Sequence, residues 1–259
     1  MIAAVATAAQ RQAFLEAARR DPMLHAVLGR DLTLWAGNSG APVQLYLAGG
    51  AALSLSDGCA WMSGLPDDPE ELHSFLRFAG VGCLQTPADL RGWPGLRPDV
   101  QDTGLTLPPG GALPQPPLPE GFVPDREVGV GEAAGLLFPT HSGYRDGFYS
   151  RTCTAVNHGL ARLWGLRDRQ GRLRATMGAD ALFEGQAYLS LLHTDPACRG
   201  QGLGGWLVVA MANALSAEGW QCVFYSEPRN RAFYRRLGFA EAAPLYAYQV
   251  GDTIQNQEG

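Results

Sequence analysis

Arg199-Gly200-Gln201-Gly202-Leu203-Gly204 constrains this chain more than any other stretch. It lies between an apolar run at residues 188–193, which reads as a strand, and residues 202–217, whose apolar spacing reads as a helix. Glycine enters the left-handed backbone region at little steric cost. Three glycines in five positions therefore allow turns that aim several N–H groups at one point. Those donors open a helix, where the macrodipole adds roughly half a positive charge, and Arg199 adds a whole one. The segment is a candidate cradle for a pyrophosphate, with a plain glycine turn as the alternative.

Two nucleotide motifs compete for it. A Walker-type loop is excluded, because no Gly-Lys-Ser/Thr follows. Gly200, Gly202 and Gly205 do satisfy the G-x-G-x-x-G spacing of dinucleotide folds, and Glu227 closes the next strand where a ribose hydroxyl would need it. Against that, polar residues 194–199 separate the strand from the first glycine, and too little chain follows for the remaining βαβ units. An NAD-type oxidoreductase stays as a minor alternative.

Arg199, Gly202 and Gly204 form Arg-x-x-Gly-x-Gly after an apolar strand and Asp195-Pro196. That spacing resembles motif A of the GNAT superfamily of N-acyltransferases. About thirty residues on come a strand at 221–226, Glu227-Pro228-Arg229-Asn230, and then Phe233-Tyr234 and Leu237-Gly238-Phe239. This run is similar to the superfamily's motif B, whose helix lies beside the thioester end of the cofactor.

The resemblance covers residues 120–250 and implies the α/β GNAT acyl-CoA N-acyltransferase fold, a mixed sheet flanked by helices. It implies direct transfer of an acetyl group from acetyl-CoA to a small-molecule or peptide amine in a ternary complex. A non-catalytic acyl-CoA sensor is the alternative. Arg199 and the backbone of Gly200, Gln201, Gly202, Leu203, Gly204 and Gly205 would hold the pyrophosphate. Leu192, His193 and Thr194, at the end of the fourth strand, would line the pantetheine arm, and Asn230 and Phe233 belong to the motif B side of the cofactor site.

Tyr234 occupies the motif B position that protonates the departing thiolate. A phenol of pKa ~10 suits a leaving thiol of about 8.5 or slightly above; packing beside Phe233 is the other reading. The acceptor amine must lose its proton, a penalty of about 4–5 kcal/mol for an alkylamine at pH 7. Glu227 at the end of the fifth strand is the leading base, with His193 and Glu184 behind it. An acidic residue that merely precedes a helix, or a packed histidine, would look the same. Residues 140–149 would roof the acceptor, so Tyr144, Arg145, Asp146 and Tyr149 are substrate candidates; a surface loop with an aromatic anchor also fits.

Residues 105–121 carry Pro108, Pro109, Pro114, Pro116, Pro117 and Pro119 with three glycines, and cannot hold a helix or an inner strand. They divide the chain into residues 1–105, a linker at 106–120, and a catalytic domain at 121–259. In that last part, helices are expected at 132–138 and 149–159, and strands at 161–166 and 172–177. The strand at 188–193, the motif A helix, the strand at 221–226, the 230–236 helix and a last strand at 244–250 follow.

The first part repeats the rhythm. Strands at 43–48, 51–56 and 59–63 are joined by Gly49-Gly50 and Asp57-Gly58, both hairpin turns. Pro69 starts a helix at 70–78 capped by Asp67 or Asp68, and a strand follows at 81–84. Residues 1–105 are therefore either a degenerate copy of the same fold, a smaller α/β domain in tandem, or an unrelated meander with a helix. At the motif A position stand Asp67, Asp68, Glu70 and Glu71, four carboxylates that would repel a phosphate.

Composition limits the remaining classes. With 46% hydrophobic residues the 259-residue chain supports real cores. A net charge of −5 argues against a nucleic-acid surface and for a cationic substrate. Five cysteines without a C-x-x-C pair favour a reducing compartment, with no metal site and no disulfide frame. Residues 2–9 lack a basic leader and read as a helix start, and no stretch of about 18 apolar residues exists to cross a membrane. A cytoplasmic location is expected.

Overall fold

In the computed structural model, which describes residues 1–251, Thr7 shapes the start of the chain. Its hydroxyl accepts from the Gln10 N–H at 3.2 Å, and the Gln10 side chain accepts from the Thr7 N–H at 2.9 Å. This reciprocal cap starts α1 (Ala8–Ala18). The residues ahead of it are left extended, so Ile2–Ala4 forms β1 rather than the expected helix start. Then follow α2 (His25–Trp35), β2 (Gln44–Ala48), β3 (Ala51–Ser56), β4 (Cys59–Ser63), α3 (Pro69–Phe78) and β5 (Cys83–Thr86).

Later elements are β6 (Leu96–Leu107), β7 (Phe122–Asp125), α4 (Val130–Leu137), α5 (Ser142–Asn157), β8 (Arg162–Asp168), β9 (Leu173–Phe183) and β10 (Gln186–Thr194). The chain finishes with α6 (Leu203–Ala217), β11 (Gln221–Ser226), α7 (Arg231–Leu237) and β12 (Ala240–Val250). No helix among the described residues is long and apolar enough to cross a membrane.

By contacts the chain forms two units. The first gathers Met1–Gly104, Tyr225–Pro228 and the segment from Ala243; the second gathers Leu105–Phe224 and Arg229–Ala242. In the first unit β1, β2, β3 and β4 pair antiparallel in turn, and β4 pairs parallel with β5. In the second, β7, β8, β9 and β10 pair antiparallel in turn, and β10 pairs parallel with β11. Each unit thus runs strand, two helices, three-strand meander, helix, parallel strand. The degenerate-copy reading required this strand order. A dinucleotide fold would need a parallel sheet, so the NAD-type reading is set aside.

Two segments fall elsewhere than the sequence suggested. Residues 244–250, expected as the last strand of the second half, group with the first unit, where β12 pairs antiparallel with β5 from Tyr246↔Thr86 to Gln249↔Cys83. Tyr248 is buried there with Leu84 and Leu90, and its hydroxyl accepts from the Leu90 N–H at 2.6 Å. Tyr248→Phe should leave that N–H without its acceptor, at about 1–3 kcal/mol. Hydrogen exchange at the β5 and Leu90 amides should accelerate accordingly, and unchanged protection would show the hydroxyl to be dispensable.

The proline-rich segment is not free either. Leu107 and Leu113 are buried in the second unit's core. Prolines supply carbonyls but no donors, and α6 answers the segment's carbonyls: the Ser216 hydroxyl lies 2.8 Å from both the Pro108 and Gly111 carbonyl oxygens and shares its one proton between them, and Asn213 Nδ2 donates to the Leu113 carbonyl at 2.9 Å. Along the same helix Leu203, Leu207, Met211 and Leu215 pack with Trp164, Leu166, Met177, Leu189 and Phe224. That packing fixes where the N-terminus of α6 stands.

Candidate functional site

The site begins with an interruption in β10. Its parallel register with β11 runs from Gln186↔Gln221 to Tyr188↔Val223. On the other side, pairing with β9 shifts between Tyr188 and Leu189 and again between Ser190 and His193. Leu191, inside the second shift, has φ +61, a left-handed conformation uncommon for a side chain of that size. Gly178 on β9 accommodates it, since a Cβ there would lie 2.9 Å from Leu191 Cδ1. Beside it the Ser190 hydroxyl is buried with no hydrogen-bond partner among the described residues. A bulge of this kind re-aims backbone amides and hydroxyls that a regular ladder would consume. Beyond the bulge His193 and Thr194 pair again with Thr176 and Ala175 of β9, while Leu192, His193 and Thr194 lie past the register with β11, which ends at Tyr188.

Past Thr194 the polar joint is rigidly held. Asp195 accepts from the Ala197 N–H at 2.9 Å and pairs with Arg174, whose Nε lies 2.8 Å from Asp168 Oδ2. The Ala197 N–H, then Arg174, keep the Asp195 carboxyl below the usual carboxylate range. Arg199 follows in extended backbone with its Nε 3.3 Å from the Thr194 carbonyl. Its guanidinium stays exposed.

Gly200 and Gly202 then adopt φ +78 and +84. Gly202 is the N-cap of α6 and brings no capping side chain. The first bond of the helix is Trp206 N–H to the Gly202 carbonyl at 3.0 Å, so the N–H groups before Trp206 have no helical carbonyl to reach. These donors, the helix dipole and Arg199 coincide on an exposed loop anchored by the buried Leu203. The donor set fits a pyrophosphate. A Cβ at Gly204 would lie 3.5 Å from Thr194 Oγ1, so the start of the helix sits directly on the end of β10.

The first unit handles the corresponding position differently. There α3 is capped by Asp68, whose Oδ1 accepts from the Glu70 N–H at 2.9 Å and the Glu71 N–H at 3.1 Å. Glu71 in turn accepts from the Ile2 N–H at 2.9 Å. The helix-opening donors are thus already engaged by a carboxylate of the chain itself.

His193 is half-buried, and burial followed by the charge of Arg199 pulls its pKa below the usual histidine value, with Asp195 opposing. Burial and the Arg199 charge both favour the neutral imidazole, which can accept or relay a proton. Removing the Arg199 charge should raise this pKa. An NMR titration of Arg199→Gln should show the His193 midpoint moving up, and no movement would place the guanidinium's field elsewhere.

The motif B residues close the other side of the α6 start. A Cβ at Gly205 would lie 3.8 Å from both Phe233 and Leu237, so α7 lies against the first turn of α6. Asn230 is the N-cap of α7 and makes no side-chain capping bond. The Tyr234 ring packs edge-on against Phe224 at 4.8 Å and Phe233 at 4.9 Å, with Phe239 at 6.1 Å. The ring of Tyr234 is thus a packed aromatic on the helix that abuts the loop.

The base candidates separate. Glu184 lies in the tight β9–β10 turn, at the opposite end of β10 from His193, and does not join the loop. Glu227 groups with the first unit, three residues ahead of Asn230 in the chain. In that unit it faces Asp102, whose carboxyl is pushed above its usual range by burial and then by the Glu227 charge. Asp102 has no motif around it, and only the tertiary structure brings it to attention.

Of the acceptor candidates, Arg145, Asp146 and Tyr149 lie on α5, which begins earlier than expected, so helix replaces the anticipated loop. Phe148, buried against Phe138 at 5.4 Å, anchors this first part of the helix and leaves Arg145, Asp146 and Tyr149 exposed. Tyr144 is on the same helix, and its side chain lies outside the described residues.

A family model described as an acetyltransferase (GNAT) domain matches residues 160–241. Comparison with curated proteins finds no match. Among solved structures, the chain is similar to a GCN5-related N-acetyltransferase from Kribbella flavida, at 19% identity and a TM-score of 0.64, over 90% of this chain and 95% of that one. A GCN5-related N-acetyltransferase from Sphaerobacter thermophilus is similar over 98% of this chain and 97% of that one, at 16% identity and a TM-score of 0.61. A tandem GNAT protein from the clavulanic acid biosynthesis pathway is similar over 98% and 99%, at 15% identity and a TM-score of 0.62. At such identities the likeness is one of fold, and it spans both units.

Proposed function

We propose that this chain, which carries a GNAT acetyltransferase domain in its second unit and has the fold of GNAT proteins along its length, transfers an acetyl group from acetyl-CoA to a primary amine. The observation that carries the reading is the uncapped start of α6. Its glycine turn, free helix donors and Arg199 form a pyrophosphate cradle directly beside the bulged end of β10. Acetyl-CoA supplies the activated acyl group as a thioester.

The chain's own residues divide the work. The backbone from Gly200 to Gly205 and Arg199 bind the two phosphates, and Leu192, His193 and Thr194 lie along the pantetheine arm with Asn230 and Phe233 opposite. Tyr234 donates its phenolic proton to the sulfur as the thiol leaves. Glu227, directly after the end of β11, takes the proton of the amine. Arg145, Asp146 and Tyr149, with Tyr144, contact the acceptor. An alkylammonium enters a protein of net charge −5 with favourable long-range attraction.

The test is thiol release from acetyl-CoA in the presence of a broad panel of primary amines. Turnover with at least one amine supports the proposal. Tight acetyl-CoA binding without turnover on any amine would make the protein an acyl-CoA sensor instead. Failure of acetyl-CoA to shift the melting temperature would remove both readings.

A further inference from the structure

Cys59 and Cys83 are the first residues of β4 and β5, and they stand directly opposite each other in that parallel pair. Neighbouring strands lie about 4.8 Å apart, inside the ~4.4–6.8 Å separation of Cα atoms that a disulfide spans. Each thiol is the largest influence on the other's hold on its proton. One carbonyl ties the two strand starts together: Gly58 accepts from the Gly82 N–H at 2.8 Å and from the Cys83 N–H at 3.3 Å. Both side chains are half-buried. Cys59 also lines a cavity of about 160 Å³ with Pro42, Gln44, Leu55, Asp57 and Ala79, where a single water needs roughly 10–15 Å³.

The pair divides its proton unequally. The hydrogen bond from Cys83 holds the Cys59 thiol down to about 7, against burial and the charge of Asp57. That bond, then burial and the negative charges of Cys59 and Asp99, push Cys83 up. Cys222 differs: it is fully buried, and burial pushes it up to about 12.

We propose that Cys59 and Cys83 form a peroxide-reactive dithiol, a modification site in the first unit in which Cys59 is the attacking sulfur and Cys83 the resolving one. The oxidant is a hydroperoxide small enough for the cavity. The Cys59 thiolate attacks one peroxide oxygen, the O–O bond breaks, and the departing hydroxide takes up a proton to leave as water. Cys59 is then a sulfenic acid. The Cys83 sulfur attacks it, the S–O bond breaks, the S–S bond forms, and the hydroxyl leaves with the Cys83 proton as a second water. Two thiols have lost two electrons and two protons, and hydrogen peroxide has been reduced to two waters. The bond would join the starts of β4 and β5 around α3.

The sequence makes the test direct. Cleavage after arginine leaves Cys59 in the peptide 31–77 and Cys83 in the peptide 78–91. The full chain is treated with hydrogen peroxide at pH 7, remaining thiols are alkylated, and the digest is read by mass spectrometry. The expected product is the 31–77 and 78–91 pair joined by a bond that a reductant cleaves, with Cys222 still alkylated. In untreated protein, Cys59 should alkylate roughly tenfold faster than an ordinary thiol at pH 7. In Cys83→Ser a sulfenic acid should persist on Cys59 and be trapped by dimedone. Recovery of both peptides fully alkylated after peroxide exposure, or a bond from Cys59 to a different cysteine, would overturn the proposal. None of these readouts depends on acyl transfer.

Discussion

A Tyr234→Phe variant is expected to lose about a hundredfold or more in kcat while its KM for acetyl-CoA stays within about twofold. The substitution keeps the ring in place. Tyr234 is held by its ring, edge-on to Phe224 at 4.8 Å and to Phe233 at 4.9 Å, and phenylalanine keeps those contacts. What goes is the hydroxyl, and with it the proton destined for the leaving sulfur. A hundredfold loss corresponds to about 2.7 kcal/mol of transition-state stabilisation. Steady-state measurement of released thiol gives both parameters. A thioester whose thiol is more acidic should recover much of the lost rate, because it leaves without needing the proton. Unchanged kcat with acetyl-CoA would reduce Tyr234 to a packed aromatic.

Gly202→Val should act on the other side of the same reaction, through binding. Gly202 holds φ +84 at the N-cap of α6, where any side chain costs about 1–2 kcal/mol and a β-branched one more. Space is not the difficulty, since the nearest atom to a Cβ there, Pro119 Cγ, is 4.0 Å away. Valine instead drives the backbone out of the left-handed region, and the donors of the first helical turn lose their common aim. The KM for acetyl-CoA is expected to rise by about ten- to a hundredfold, the loss of one or two charge-assisted hydrogen bonds. Calorimetric titration of coenzyme A should show the same loss of affinity. An unchanged KM would mean that the pyrophosphate rests elsewhere.

Much of this architecture was legible from short-range patterns. The Asp57-Gly58 hairpin, Pro69 with the Asp68 cap, and the glycine turn before α6 all stand where the residues indicated. The repeat of meander, helix and strand in residues 1–105 was readable because each element carries its own punctuation. Element beginnings are less legible. Ile2–Ala4 is apolar and leads into a helical run, so it reads as helix until the Thr7–Gln10 cap divides the two. The start of α5 carries little signal, because Ser142–Asn157 has little amphipathic pattern, with glycines at 143 and 147.

The candidate site divides in the same way. Arg199, Gly200, Gly202 and Gly204 were found by spacing, and the reason is physical: a left-handed turn that opens a helix demands particular residues at particular positions. Asp102 beside Glu227, the buried Ser190 hydroxyl and the opposed thiols of Cys59 and Cys83 carry no such signature. Each depends on how paired strands and their neighbours pack, which no short pattern records.

By itself the sequence determined the local devices: the caps, the hairpin turns, the glycine loop with Arg199, and the alternation of strand and helix that specifies a tandem mixed fold. Those are decided by backbone sterics and by hydrogen bonds between near neighbours. Only the tertiary structure decided that β12 pairs with β5, that the proline segment docks along α6 through Asn213 and Ser216, and that β10 bulges at Leu191. Pairing partners are chosen by burial and by backbone groups seeking donors and acceptors across the fold. Many positions satisfy those demands equally well until the competing strands and helices are in place.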